Sequence, residues 1–181
     1  TGLPTIDLDE SIPYEKRETW NSAALFVPGS ENVQRYDKIH VVPFGEAFPF
    51  DDIFPQLRKI DLGQANWNEG KKRVVFNGND LPPFHVAICF ESIFPDLNRE
   101  FIRKGSSFIT VITNDAWFGP RTAPYQHAMI AAMRAMEFHR PIVRCANTGV
   151  SMIIDPYGRI EKKTGTFERT VLYGTITPRS D

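Results

Sequence analysis

The apolar positions along the chain change period several times, and each change marks an element. "WNSAALFV" (20–27) reads as a strand, "PGSEN" (28–32) is turn chemistry, and "VQRYDKIHVV" (33–42) alternates as the return strand of a hairpin. Residues 1–19 are polar with prolines among them and read as a loop. "PFGEAFPFDDIFPQL" (43–57) carries three prolines and four phenylalanines, which excludes a continuous helix and predicts a loop with a short helical turn. "RVVFN" (73–77) and "FHVAICF" (84–90) predict two further strands. "FPDLNREFIRKG" (94–105) has helix punctuation: Pro95 and Asp96 early, Arg103 and Lys104 late, Gly105 beyond the end.

The second half continues in kind. "SFITVITN" (107–114) is a β-branched run expected to be a buried strand. Residues 124–139 give the best helix, with Met129, Ala132, Met133 and Met136 along one face, a stripe expected to be core. "PIVRCA", "VSMIID" and "TVLYGTI" (170–176) predict three strands with turns at 147–149 and 156–158, and Cys145 is expected in the core. Strands flanked by two helices give an α/β class, as a mixed sheet or a sandwich of sheets.

Composition narrows the functional classes. The 181 residues suit one domain, and a formal net charge of −1 gives no bulk attraction to nucleic acid. The basic run 71–73 reads as a solvated loop edge. No apolar run approaches the roughly 20 residues of a membrane span, and no signal peptide is evident. The chain starts at Thr1 rather than Met, which suggests a processed or partial polypeptide. The two cysteines cannot build a disulfide framework and leave the redox compartment open.

Chemistry concentrates at one residue. Phosphate-cradling glycine loops and G-x-S-x-G elbows are absent, and the four histidines show no zinc spacing with the cysteines, so neither a cofactor nor a metal is expected. Cys89 ends an apolar strand and precedes a helix, where exposed amide N–H groups and a positive helix end favour a thiolate. Taken alone, the local pattern fits a small buried structural residue better. The histidines are available partners, but their positions single none out.

Three stretches read together decide more. "YDKIHVVPFGE" (36–46), "ICFESIFP" (88–95) and "NDAWFG" (114–119) resemble the nitrilase superfamily of carbon–nitrogen hydrolases, and within it the catalytic domain of the bacterial apolipoprotein N-acyltransferase branch. The similarity runs from about Asn21 through residues 124–158. It implies an α-β-β-α sandwich, with 1–181 a single domain that is only part of it. It also implies a thioester on Cys89, Lys38 beside it as oxyanion cation, and Glu46 orienting the lysine. Glu91 is implied to support the site or the incoming amine. Phe90, through its N–H as a second oxyanion donor, Phe44, Asn114, Trp117 and Phe118 are implied on the substrate side. Each match also has an ordinary alternative: a strand-edge lysine, a turn or cap carboxylate, core aromatics, and turn roles for Asn147 and Ser151.

Two departures from the pattern stand out. Position 90 is Phe where the acyltransferases usually carry Tyr. The family's general-base glutamate follows an early strand, upstream of this segment, whereas Glu10, Glu15, Glu18 and Glu31 lie in polar stretches. The chain is therefore expected to be a fragment, poorly active alone, with membrane helices elsewhere. The implied partners are a phospholipid donor and a lipoprotein acceptor, at the periplasmic face of the inner membrane. Phe44, Phe48, Phe50 and Phe54 are candidates for an acyl-chain lid if exposed. The rival expectations are an amidase, cytoplasmic and resolved by water, and a non-catalytic remnant.

Overall fold

The computed structural model describes residues 3–6, 11, 18–47, 53, 67–119 and 122–180. A small antiparallel sheet joins β1 (Leu3–Ile6), β2 (Thr19–Leu25) and β3 (Gln34–Asp37) in the order β1-β2-β3. A larger mixed sheet has the order β4 (Phe84–Ile88), β5 (Phe108–Thr113), β6 (Ile142–Ala146), β7 (Met152–Ile154) and β8 (Ile160–Lys163). Its first three strands are parallel and its last two antiparallel. Helix α1 (Pro95–Arg103) makes the β4-to-β5 crossover and α2 (Ala123–Phe138) the β5-to-β6 crossover, as parallel pairs require. The α/β class and the sandwich of sheets both stand.

Strand alternation divides the core in two. Ile109, Val111, Ile142, Met152 and Ile154 face α2, and meet Ala128, Ala131, Ala132 and Ala135. Phe84, Val86 and Ile88 of β4 join Ala23 and Tyr36 of the small sheet with Leu97 and Phe101 of α1. Of the stripe expected to be core, Ala132 is buried but the methionines are not: Met129, Met133 and Met136 are 50%, 53% and 49% exposed. The reason is steric. Alanines let α2 approach the sheet closely, and the long methionines fall on the outer face.

Cys145 is likewise exposed rather than core. Ile142 points at α2, so the two-residue period of β6 sends Arg144 the same way and Cys145 to the opposite face. The expected loop at 1–19 contains β1, an edge strand whose Pro4 is tolerated there and whose Thr5 hydroxyl lies 2.6 Å from that of Ser22. The hairpin return strand is shorter than 33–42 and ends at Asp37.

Residues 73–77 are not a strand. Only Phe76 bridges Phe84, because the Asn77 backbone is taken by the Gln34 amide side chain. The strand from 84 stops at Ile88 rather than 90. The last strand is β8, not 170–176. A tight turn with Gly158 at φ +79° closes a β7–β8 hairpin locally, and the charged "IEKK" edge discourages further pairing. Among the described residues no helix is long and apolar enough to cross a membrane.

His85, buried on β4, ties that strand to both ends of the α1 crossover. Its Nδ1 lies 2.8 Å from Ser106 Oγ, its Nε2 lies 3.1 Å from Asn98 Oδ1, and its ring stacks on Phe101. Burial lowers its pKa to about 4, with the Asn98 contact opposing weakly. The unfolded chain therefore binds a proton that the folded chain refuses between about pH 6.5 and about pH 4. Stability is fully present above that window and falls through it on acidification, by on the order of 3 kcal/mol. Chemical denaturation as a function of pH measures the slope, and His85→Gln should flatten it. The corrected face of α2 gives a second expectation. Ala131→Leu should cost about 1–3 kcal/mol by overpacking, while Met133→Ala should stay within about 0.5 kcal/mol, both read from urea midpoints.

Candidate active site

The strand β4 ends in a turn that the backbone does not adopt freely. Cys89 has φ +54° and opens a short 3-10 helix, Cys89–Ile93, immediately before α1. A left-handed non-glycine residue costs about 1–2 kcal/mol, so neighbouring contacts must hold it. Upstream, the Ile88 N–H donates to Glu91 Oε2 at 2.8 Å. Downstream, the Ser92 hydroxyl donates to the Cys89 carbonyl at 3.1 Å.

Glu91 is fully buried and joins two distant segments. Its Oε1 accepts from Tyr36 Oη at 2.8 Å, from the Ile39 N–H at 2.7 Å and from the His40 N–H at 3.1 Å. Burial pushes its carboxyl up from the usual range. The donors from Ile88, Tyr36, His40 and Ile39 pull it back without cancelling the rise. The segment that Glu91 grips is the one that carries Lys38. That lysine is fully buried, its backbone N–H bonded to Asn21 O at 2.8 Å and its Nζ donating to Glu46 Oε2 at 2.5 Å. Glu46 also accepts from the Val42 N–H at 2.8 Å, which closes the turn at 42–46 around it.

A second charged cluster lies behind the cysteine. Arg144 Nη2 donates to Asp115 Oδ2 at 2.7 Å, and His127 Nδ1 lies 2.9 Å from Asp115 Oδ1. The His127 Nε2 reaches Ser92 Oγ at 3.2 Å and the Cys89 carbonyl at 3.3 Å. Burial raises the Asp115 carboxyl, but the His127 hydrogen bond and the Arg144 charge outweigh it and hold it below the usual carboxylate range. Gly149 makes room for the cluster, since a Cβ there would stand 2.1 Å from Asp115 Oδ2.

A cavity of about 180 Å³ opens over the turn, lined by Val42, Gly45, Glu46, Cys89, Phe90, Asn114 and Phe118. Five of the residues singled out from sequence thus converge: Cys89, Glu46, Phe90, Asn114 and Phe118. Lys38 and Glu91 stand behind the lining, the first bonded to Glu46 and the second to the turn. Phe44, at φ +59° and 67% exposed, does not line the cavity. Phe48, Phe50, Phe54 and the Trp117 side chain lie outside the described residues, as do Glu10 and Glu15. Asn147 and Ser151 shape the turn after β6, Ser151 Oγ accepting from the Ala146 N–H at 3.1 Å.

Sequence reasoning singles out neither Asp115 nor Arg144, and leaves His127 as one of four histidines available to Cys89. The available signal was an arginine inside an otherwise apolar strand, "PIVRCA", which demands a buried partner. Among the described residues no group of three or more His, Cys, Asp or Glu side chains is placed to hold a metal.

The carbon–nitrogen hydrolase family model matches residues 6–180. The chain belongs to the carbon–nitrogen hydrolase family. It is 40% identical over 175 residues to the apolipoprotein N-acyltransferase of Geobacter metallireducens, covering 97% of this chain and 33% of that protein. It is 39% identical over 164 residues to that of Chlorobaculum tepidum, covering 87% of this chain and 31% of that protein. The chain thus spans about a third of the length of these relatives. Two solved carbon–nitrogen hydrolases share the fold. Nit3 of Saccharomyces cerevisiae has a TM-score of 0.64 at 18% identity, covering 93% of this chain and 56% of that one. The Helicobacter pylori enzyme has 0.66 at 14%, covering 88% and 56%.

The Glu91 clamp makes a direct expectation. Glu91→Ala strands four donors at once, the buried Tyr36 hydroxyl and Ile88 N–H and the part-buried Ile39 and His40 N–H groups, and should cost about 3–5 kcal/mol. Glu91→Gln keeps an acceptor oxygen and should cost clearly less. Urea unfolding of the pair measures the difference.

Proposed function

We propose that this chain carries the acyl-transfer site of an apolipoprotein N-acyltransferase, with Cys89 as nucleophile. The observation that carries the reading is the placement of Cys89, in a strained strand-to-helix turn, in one cavity with Glu46, whose carboxylate holds the Lys38 ammonium. That its relatives in Geobacter metallireducens and Chlorobaculum tepidum are apolipoprotein N-acyltransferases supports the choice of reaction within the family.

The chemistry proceeds in two halves. The Cys89 sulfur attacks the ester carbonyl of a phospholipid. A C–S bond forms, the ester C–O bond breaks, and a lysophospholipid leaves with a proton. The amine of a diacylglyceryl-cysteine then attacks the thioester. An amide C–N bond forms, the C–S bond breaks, and the thiol is restored with the proton the amine gives up. Lys38 and the Phe90 N–H stabilise the oxyanion in both halves. Among the residues lining the described cavity Glu46 is the sole carboxylate, and it is committed to Lys38 and the Val42 N–H. We therefore assign proton removal from Cys89 to the general-base glutamate that the family pattern places before this segment. Glu91 supports the turn rather than meeting substrate, since its oxygens are taken by backbone and Tyr36 donors.

Phe90 and Phe118, with ring centroids 6.3 Å apart, give the cavity an apolar wall suited to an acyl chain. The exposed Phe44 on the turn beside Glu46 is placed to meet lipid. The reaction belongs at the membrane, on the periplasmic face where such lipoproteins are finished, through parts of the protein outside this chain.

Intact-mass measurement of the complete protein after incubation with phospholipid tests the reading. A hydroxylamine-labile acyl adduct on Cys89, absent from Cys89→Ala and lowered about 10²–10³-fold in formation rate by Lys38→Met, is expected. No adduct, or one that persists in Cys89→Ala, overturns it. An adduct that water clears as fast as an added lipopeptide amine makes the protein an amidase.

A further inference from the structure

The cluster behind the cavity has no part in the two half-reactions, yet it ends on the nucleophile's own backbone. Asp115, His127 and Arg144 are buried, and none of them lines the cavity. Asp115 is fixed from three directions, by Arg144 Nη2 at 2.7 Å, by Thr113 Oγ1 at 2.9 Å and by His127 Nδ1 at 2.9 Å. A carboxylate only accepts, so Nδ1 carries a hydrogen toward it and the ring cannot rotate. A backbone carbonyl also only accepts, so to bond one on its far side the ring must carry a second hydrogen, on its opposite nitrogen. That nitrogen lies 3.3 Å from the Cys89 carbonyl oxygen and 3.2 Å from Ser92 Oγ, whose hydroxyl donates to that same carbonyl at 3.1 Å. The Phe90 ring packs over the imidazole at 5.5 Å and closes the arrangement from the cavity side.

A peptide unit is planar and trans, so its N–H points opposite to its C=O. The Cys89 carbonyl and the Phe90 N–H belong to one such plane. Gripping the carbonyl from the Ser92 and His127 side therefore aims the Phe90 N–H away from it. A hydrogen bond into the carbonyl also polarises the amide and strengthens the N–H as a donor. The left-handed Cys89 backbone needs this second anchor, because the Ile88 N–H through which Glu91 holds the strand end belongs to the Ala87–Ile88 peptide, ahead of the turn.

We infer that Asp115, His127 and Ser92 are positioning residues for the oxyanion donor: they hold the Cys89–Phe90 peptide by its carbonyl so that the Phe90 N–H is presented beside the cysteine. Arg144 holds Asp115 in turn. The inference rests on Cys89 being the acylated nucleophile, and it adds a reason for a buried charge cluster that touches no substrate.

Two reactions of Cys89 in the complete protein separate its parts. Single-turnover acylation by a short-chain p-nitrophenyl ester passes through an oxyanion, whereas alkylation by iodoacetamide does not. His127→Leu should lower the acylation rate constant about 10- to 100-fold, with alkylation changed by less than about threefold. The burst amplitude counts folded sites, so a loss of stability lowers the amplitude and leaves the rate constant alone. His127→Gln, whose amide N–H can reach the carbonyl, should recover most of the rate, and Asp115→Asn should fall between. An unchanged rate constant in His127→Leu, a fall in amplitude alone, or a parallel fall in acylation and alkylation overturns the inference. Wild-type protein that alkylates at Cys89 but never acylates overturns the nucleophile reading itself, and this inference with it.

Discussion

The arrangement depends on one buried carboxylate. Glu91 comes two residues after Cys89, yet its acceptors are filled by groups more than fifty positions earlier, on Tyr36, Ile39 and His40, as well as by Ile88 beside it. The short 3-10 helix is what turns the Glu91 side chain inward. Once there, it satisfies backbone N–H groups that would otherwise be buried without partners. A single side chain therefore sets the position of the lysine segment relative to the cysteine turn, and offsets the cost of the left-handed Cys89 with bonds that exist only in the folded state.

Around that clamp the chain buries two ion pairs, Lys38 with Glu46 and Arg144 with Asp115. Buried pairs of this kind add little net stability, because removing two charges from water costs about as much as their attraction returns. Their worth is directional. Lys38 cannot swing away from Glu46 without leaving a charge unpaired, and the Asp115 carboxylate that holds His127 cannot swing away without leaving Arg144 alone. The polar groups near Cys89 are thus held by the penalty for separating them, which suits a site whose geometry must be ready before substrate arrives.

Much of this was legible locally. The punctuation of α1, the β-branched run of β5 and the β2–β3 hairpin are written in adjacent residues, and so is a cysteine at a strand-to-helix junction. What the sequence hid depends on partners far apart in the chain. The parity of β6 follows from which face of Ile142 meets α2, so Arg144 is buried and Cys145, expected in the core, is exposed. The 73–77 segment has strand composition, but Gln34 takes the Asn77 backbone that a ladder would need. Asp115, His127 and Arg144 sit on a strand end, a helix and another strand, with no spacing to betray them.

The methionine stripe shows how packing reaches the site. A periodic apolar face normally marks the buried side of a helix, and here two faces of α2 are apolar, one of alanines and one of methionines. The choice between them is made by distance. His127 lies on the alanine side, and its ring must come within hydrogen-bond reach of Asp115 on the end of β5 and of the Cys89 carbonyl beyond β4. Side chains the size of methionine between α2 and the sheet would lift the helix by more than those bonds can stretch. The smallest core residues of the chain are therefore placed where the helix must lie low, and the position of the nucleophile's backbone is fixed in part by methyl groups that never approach it.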